Sequence, residues 1–71
     1  MKLKLGKNAS VYVTLAEYNL FNIIEYKQPV RYSELSESDA KLVDRLIAKS
    51  LVERKSIGGD IGYVIQAHVS R

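Results

Sequence analysis

Three glycines within five residues, in Gly58-Gly59-Asp60-Ile61-Gly62, constrain this chain more than any other feature. Glycine and aspartate take turn conformations that other residues resist, so the backbone reverses here at little cost. After the glycines, Tyr63, Ile65, Ala67 and Val69 alternate with Val64, Gln66 and His68, the period of a half-buried strand. Before them, Leu51-Val52 lead into Glu53-Arg54-Lys55-Ser56-Ile57. A β-hairpin is predicted, with one strand running on from Tyr63 to Val69. The rest of the chain must then supply a surface for its apolar face.

Upstream, Leu3 to Leu5 and Ser10 to Val13 are strand-suited runs around the turn-forming Gly6-Lys7-Asn8, so a small N-terminal hairpin is expected. Thr14-Leu15-Ala16-Glu17 reads as a capping box. The Thr14 hydroxyl accepts from the Glu17 amide, and the Glu17 carboxylate reaches back to the Thr14 amide. Val13 and Tyr18 occupy the flanking staple positions. A first helix is predicted from Leu15 to about Lys27, with Ala16, Leu20, Phe21, Ile23 and Ile24 sharing one broad face. Pro29 ends it, because the residue before a proline avoids the helical region. Val30 and Arg31 are expected to be extended, and Tyr32-Ser33-Glu34-Leu35 to form a short second helix with Leu35 inward. A third helix begins at Ser36 or Ser38, with Ser36 and Asp39 as a capping pair. Val43, Leu46, Ile47 and Ser50 fall on its inner side and Ala40 at that side's edge. Lys41, Asp44, Arg45 and Ala48 fall on the other.

The expected order is hairpin, helix, short helix, helix, hairpin. This is an α+β winged helix-turn-helix architecture: three helices, a small antiparallel sheet closed by the first and last strands, and a C-terminal β-hairpin wing. At 71 residues the whole chain, 1–71, reads as one such domain with an economical core. There is no cysteine, so neither a disulfide framework nor a thiolate metal site is available. No apolar run reaches the ~20 residues of a membrane span, and Met1-Lys2-Leu3-Lys4-Leu5 lacks the apolar stretch of a signal peptide. A cytoplasmic protein without membrane contact is expected. The net charge of +3 and a pI near 9.3 favour a polyanionic partner.

Val13-Thr14-Leu15-Ala16-Glu17-Tyr18-Asn19-Leu20-Phe21-Asn22-Ile23-Ile24 resembles the start of the OmpR-type response-regulator effector domain, L-T-x-x-E-F-x-L-L-x-x-L, with Val13 for Leu and Tyr18 for Phe. Gln28-Pro29-Val30-Arg31-Tyr32-Ser33-Glu34-Leu35 is similar to that family's entry to its second helix. Leu42-Val43-Asp44-Arg45-Leu46-Ile47-Ala48-Lys49-Ser50-Leu51-Val52-Glu53-Arg54 resembles the LVDRLEKKGLVER segment of MarR-type regulators, which leads into a wing. The two resemblances cover nearly the whole chain and imply a winged-helix fold and DNA binding. Ser50 departs from the glycine usual after that helix. The arginine that follows the wing aspartate in MarR-type proteins is missing from Gly59-Asp60-Ile61-Gly62. Neither a receiver domain nor a long dimerisation helix is read in these residues.

Lys41 and Arg45 lie one turn apart on the outward side of the third helix, the placement a recognition helix needs in a major groove. Arg45 is suited to a bidentate guanine contact and Lys41 to guanine or phosphate. Ser36 and Ser38 at the helix start are suited to phosphate. Arg54, Lys55 and Ser56 lead to the wing tip, where Lys55 and Ser56 reach toward backbone or minor groove. Arg31, with Lys27, offers a clamp from the other side. The expected partner is double-stranded DNA, with a homodimer or partner protein adding contact area. Lys2-Leu3-Lys4-Leu5, read as an open edge strand, is a candidate for that pairing. Against DNA stand Glu37, Asp39 and Asp44, which favour the alternative of a protein-interaction module.

No G-x-S-x-G, P-loop or cleft-forming carboxylate pair is present, and a substrate pocket is hard to build at this size, so neither an enzyme nor a small-molecule substrate is expected. His68 is the lone histidine, and no cofactor or metal is expected. The five tyrosines, Tyr12, Tyr18, Tyr26, Tyr32 and Tyr63, are read as core-edge residues and not as an RNA-stacking strand motif.

Overall fold

The N-terminal residues pair as expected. In the computed structural model, which describes residues 1–70, β1 (Lys2–Leu5) and β2 (Ser10–Tyr12) form an antiparallel hairpin, with Leu3 opposite Val11. Helix α1 (Leu15–Lys27) follows, capped as the sequence predicts: the Glu17 amide donates to the Thr14 hydroxyl at 3.1 Å, and the Thr14 amide donates to the Glu17 carboxylate at 2.8 Å. Gln28 closes the helix just before Pro29, its amide donating to the Ile24 carbonyl. Strand β3 (Val30–Arg31), a 3-10 turn (Tyr32–Glu34) and α2 (Glu37–Ala48) come next, and Ser36 caps α2 by accepting from the Asp39 amide. Strands β4 (Val52–Ile57) and β5 (Asp60–Ile65) then form a ribbon, and β6 (Val69–Ser70) completes the described chain. Gly58 and Gly59 both have positive φ, +55° and +85°, between the closing pair Ile57 and Asp60. A two-residue hairpin loop with both φ positive matches the twist of its strands and selects glycine.

Two helices and two three-stranded antiparallel sheets result, so the three-helix winged helix-turn-helix expected from the sequence is not matched. The expected second helix is only the 3-10 turn. Leu35 is extended (φ −89°, ψ 139°) so that Ser36 can cap α2, and Arg31 is extended on the other side. Three residues between two extended flanks cannot repay the cost of an α-helical nucleus. The expected long C-terminal strand also divides. After Ile65 the Gln66 amide donates to the Leu51 carbonyl, a turn follows, and β6 crosses to pair with β1 (Leu5 opposite Val69). One sheet is therefore β2-β1-β6, the other β3-β5-β4. β1 is consequently a middle strand, not the open edge expected of Lys2-Leu3-Lys4-Leu5.

Leu3, Val13, Leu20, Phe21, Ile24, Val30, Val43, Leu46, Leu51, Val52 and Tyr63 make one core between the helices and the two sheets. Full burial of each aliphatic or aromatic side chain contributes roughly 1.5–3 kcal/mol. On α1 the buried side is Glu17, Leu20, Phe21 and Ile24, whereas Ala16 is exposed and Ile23 half-exposed. The buried stripe is thus rotated toward a carboxylate that hydrophobic periodicity assigned to no face. Among the described residues no helix is long and apolar enough to cross a membrane.

Candidate nucleic-acid interface

Helix α2 presents one packed and one solvated side. Val43 and Leu46 are buried and Leu42 and Ile47 are partly buried against the core, while Lys41, Asp44, Arg45 and Ala48 are exposed. Lys41 and Arg45 make no ion pair among the described residues. Ser36 is the N-cap and Ser38 stands exposed in the first turn, beside Glu37 and Asp39. Those two carboxylates stabilise the positive end of the helix dipole, which gives them a structural role at the end where phosphate binding was expected.

The β4–β5 register decides which basic residues join this surface. Arg54 stands opposite Tyr63 and Ser56 opposite Ile61, in the same face of the ribbon as the buried Val52. That face looks toward the helices. Accordingly the Arg54 guanidinium lies 3.9 Å from the Asp44 carboxylate of α2, with both side chains well exposed. Burial pushes the Tyr63 hydroxyl above its ordinary pKa, opposed by the charge and hydrogen bond of Arg54. Arg54 therefore sits at the seam between α2 and the ribbon. Its pairing with Asp44 is weak at this distance and exposure, but it offsets the carboxylate that stands between Lys41 and Arg45.

Lys55 and Arg31 go elsewhere. Arg31 is opposite Gly62, and Gly62 is opposite Lys55, so the two basic residues flank this glycine in a row across the sheet. Alternation puts that row on the face away from Tyr63 and the helices. The space above Gly62 is filled by the Ile57 side chain and bordered by Pro29. Of the eight residues expected to contact DNA, Lys41 and Arg45 share the outward side of α2 with Ser36 and Ser38 at its start. Arg54 reaches Asp44 from the ribbon, and Ser56 stands on the same ribbon face as Arg54, nearer the hairpin tip. Arg31 and Lys55 form a separate pair.

A further basic surface escaped the sequence reading. Lys2 and Lys4 alternate with the inward Leu3 and Leu5, and across the ladder Lys2 faces Tyr12 and Lys4 faces Ser10. The Lys2 ammonium lies 5.0 Å from the centre of the Tyr12 ring, which is 68% exposed. The signal was legible: residues 1–16 contain Lys2, Lys4 and Lys7 and no Asp or Glu, while residues 17–71 hold equal numbers of acidic and basic side chains. The whole net charge of +3 thus resides in the N-terminal hairpin.

One partly buried ionic contact holds these parts together. The Lys49 ammonium, just past α2, donates to the Glu17 carboxylate at 2.7 Å and to the Tyr12 carbonyl at 3.0 Å. Burial raises the Glu17 pKa, but the hydrogen bonds from Lys49 and Thr14 and the Lys49 charge outweigh it and hold the group below 4.5. Comparison with protein-family models, with curated proteins and with solved structures finds no match to this chain.

Proposed function

We propose that this chain is a non-catalytic DNA-binding module of the cytoplasm, serving a regulator of transcription, that lays the outward side of α2 against duplex DNA. The observation that carries the reading is the pair Lys41 and Arg45, exposed one turn apart on a helix whose opposite side is packed. Arg45 contacts a base edge, Lys41 a guanine or phosphate, and Arg54 with Ser56 the adjoining backbone. Arg31 and Lys55, on the far face of their sheet, take no part in this contact.

Fluorescence anisotropy against duplex DNA at two salt concentrations tests the proposal. Arg45→Ala lowers affinity for a preferred site by about 1–3 kcal/mol. Lys41→Ala weakens binding and, if it contacts phosphate, flattens the salt slope by about one unit. Lys55→Ala leaves affinity unchanged, because Lys55 stands on the face of the ribbon opposite Arg54. Absence of duplex binding at low salt, where phosphate attraction is strongest, ends the reading. The acidic residues Glu37, Asp39 and Asp44 support a second one, a protein-interaction surface on the same helix. That reading requires a basic partner and predicts that Glu37→Lys abolishes the contact.

A further inference from the structure

We infer that the outer face of the β2-β1-β6 sheet is a binding surface for single-stranded nucleic acid, separate from the α2 surface. Its backbone phosphates lie on Lys2, Lys4 and Lys7 and one base stacks on Tyr12. The occupant follows from charge complementarity and ring exposure. Lys2 and Lys4 point outward from the middle strand of the sheet, Tyr12 and Ser10 point outward from its neighbour, and Ser70 lies opposite Lys4 on the third strand. Lys7 is exposed in the connecting turn. No carboxylate occurs in residues 1–16, and none of the three lysines is in an ion pair among the described residues.

An exposed aromatic ring beside ammonium groups that no carboxylate among the described residues neutralises is what a single strand needs. The Lys2 ammonium moves from the Tyr12 ring to a phosphate as the base stacks. Unstacked bases find a π-face, and the cations follow the phosphates. A duplex keeps its bases stacked inside, so it gains nothing from the Tyr12 ring. The strand backbone beneath the surface is anchored. The Tyr12 carbonyl is held by Lys49, and Leu3 behind it is fully buried. With the backbone held, docking a base orders only the Tyr12 side chain and the lysines.

The test titrates fluorescein-labelled oligothymidylate, which has no secondary structure, with the whole chain at two salt concentrations. Wild type binds with a log-affinity slope near −2 against log salt, as about three phosphate contacts to a single strand require. Tyr12→Ala weakens binding about tenfold or more, and Tyr12→Phe retains it, because the ring and not the hydroxyl stacks. Lys2→Ala with Lys4→Ala flattens the slope by more than one unit. Arg45→Ala, which disables the proposed duplex contact, leaves oligothymidylate binding unchanged, so the two surfaces fail separately. The inference is overturned if oligothymidylate does not bind at low salt, or if Tyr12→Ala binds as tightly as wild type while circular dichroism shows it folded. Vesicles containing phosphatidylserine supply the remaining arm: binding to them alone, lost in the Lys2 and Lys4 variant, assigns the face to lipid and overturns it as well.

Discussion

Lys49 and Glu17 are 32 positions apart in sequence and 2.7 Å apart in space, and their contact joins three parts of the molecule. The same Glu17 oxygen accepts from the Thr14 amide and so closes the cap of α1. The same ammonium reaches the Tyr12 carbonyl at the end of β2. Helix α1, the end of α2 and the N-terminal sheet are thus registered through two side chains. Glu17 is nearly fully buried, so its charge survives only because every polar contact around it is satisfied.

Removing the ammonium should therefore cost more than an ordinary surface lysine does. Lys49→Met leaves a buried carboxylate with one amide donor and no counter-charge. Breaking a fully buried pair typically costs 3–5 kcal/mol, and because Lys49 is 31% exposed the expected loss is about 2–3 kcal/mol. Glu17→Leu combined with Lys49→Met should recover part of that loss, less about 1 kcal/mol for the missing cap. Urea denaturation of the two single variants and the double variant checks this. Additive losses would show that the pair is not coupled.

The same carboxylate sets an acid limit. Its folded-state pKa lies below 4.5, so folding binds fewer protons at this group than unfolding does. Its contribution is complete at pH values above 4.5 and declines as pH falls through the folded-state value. Melting temperatures should be flat from pH 7 to about 5 as far as Glu17 is concerned, then drop. Glu17→Gln should be less stable near neutrality and should lose less between pH 5 and 3. Parallel pH profiles for wild type and Glu17→Gln would contradict the assignment.

What could be read from the sequence was local. The Thr14–Glu17 box, the Ser36 cap, the Gly58-Gly59 reversal and the two sides of α2 each depend on residues within one or two turns, and each is where it was expected, except that Ser50, assigned to the inner side, is exposed beyond the helix end. The three-helix reading failed at Tyr32–Glu34, where capping of α2 by Ser36 takes the residues a helix would need. The division of β5 from β6 was hidden because the chain turns only after Gln66, whose amide still bonds Leu51 opposite it while its carbonyl accepts from the Val69 amide, and the alternation of residues 63–69 carries no sign of that turn. The candidate interface shows the same limit. Outward placement of Lys41 and Arg45 follows from helical period alone. The separation of Lys55 from Arg54 follows from strand alternation, which the grouping of adjacent basic residues ignored.

Ser50 carries a conformational cost that a glycine would remove. It has φ +64° where the chain leaves α2, the left-handed conformation that ends many helices. An L-residue there costs about 1–2 kcal/mol, and glycine's extra freedom in the unfolded chain returns about 0.4–1 kcal/mol of the gain. Ser50→Gly should raise stability by about 0.5 kcal/mol, a rise of roughly 2–4 °C in a domain of this size. Ser50→Val, β-branched and ill-suited to positive φ, should lower it. Calorimetric melts of both variants decide the matter, and a destabilised Ser50→Gly would mean that the serine side chain makes a compensating contact.

Gly62 presents the opposite case, in which space and not backbone angle excludes a side chain. A methyl group added there overlaps the end of the Ile57 side chain, with the Pro29 ring carbon 3.5 Å away. Gly62→Ala alone should be mildly destabilising, by at most about 1 kcal/mol, since moving the end of Ile57 aside costs about 0.5–1.5 kcal/mol and alanine's preference over glycine in a strand offsets part of it. Ile57→Ala alone should also cost about 1 kcal/mol, because it uncovers the sheet above Gly62. In the Ile57→Ala background the sign of the first change should reverse: the methyl then fills the vacated space, and alanine is favoured over glycine in a strand by roughly 0.5–1 kcal/mol. Measured by urea denaturation, the cycle should give a coupling of about 1 kcal/mol or more. Independent, additive costs would show that Ile57 does not lie over Gly62 in solution, and the row from Arg31 to Lys55 would then be open to solvent along its whole length.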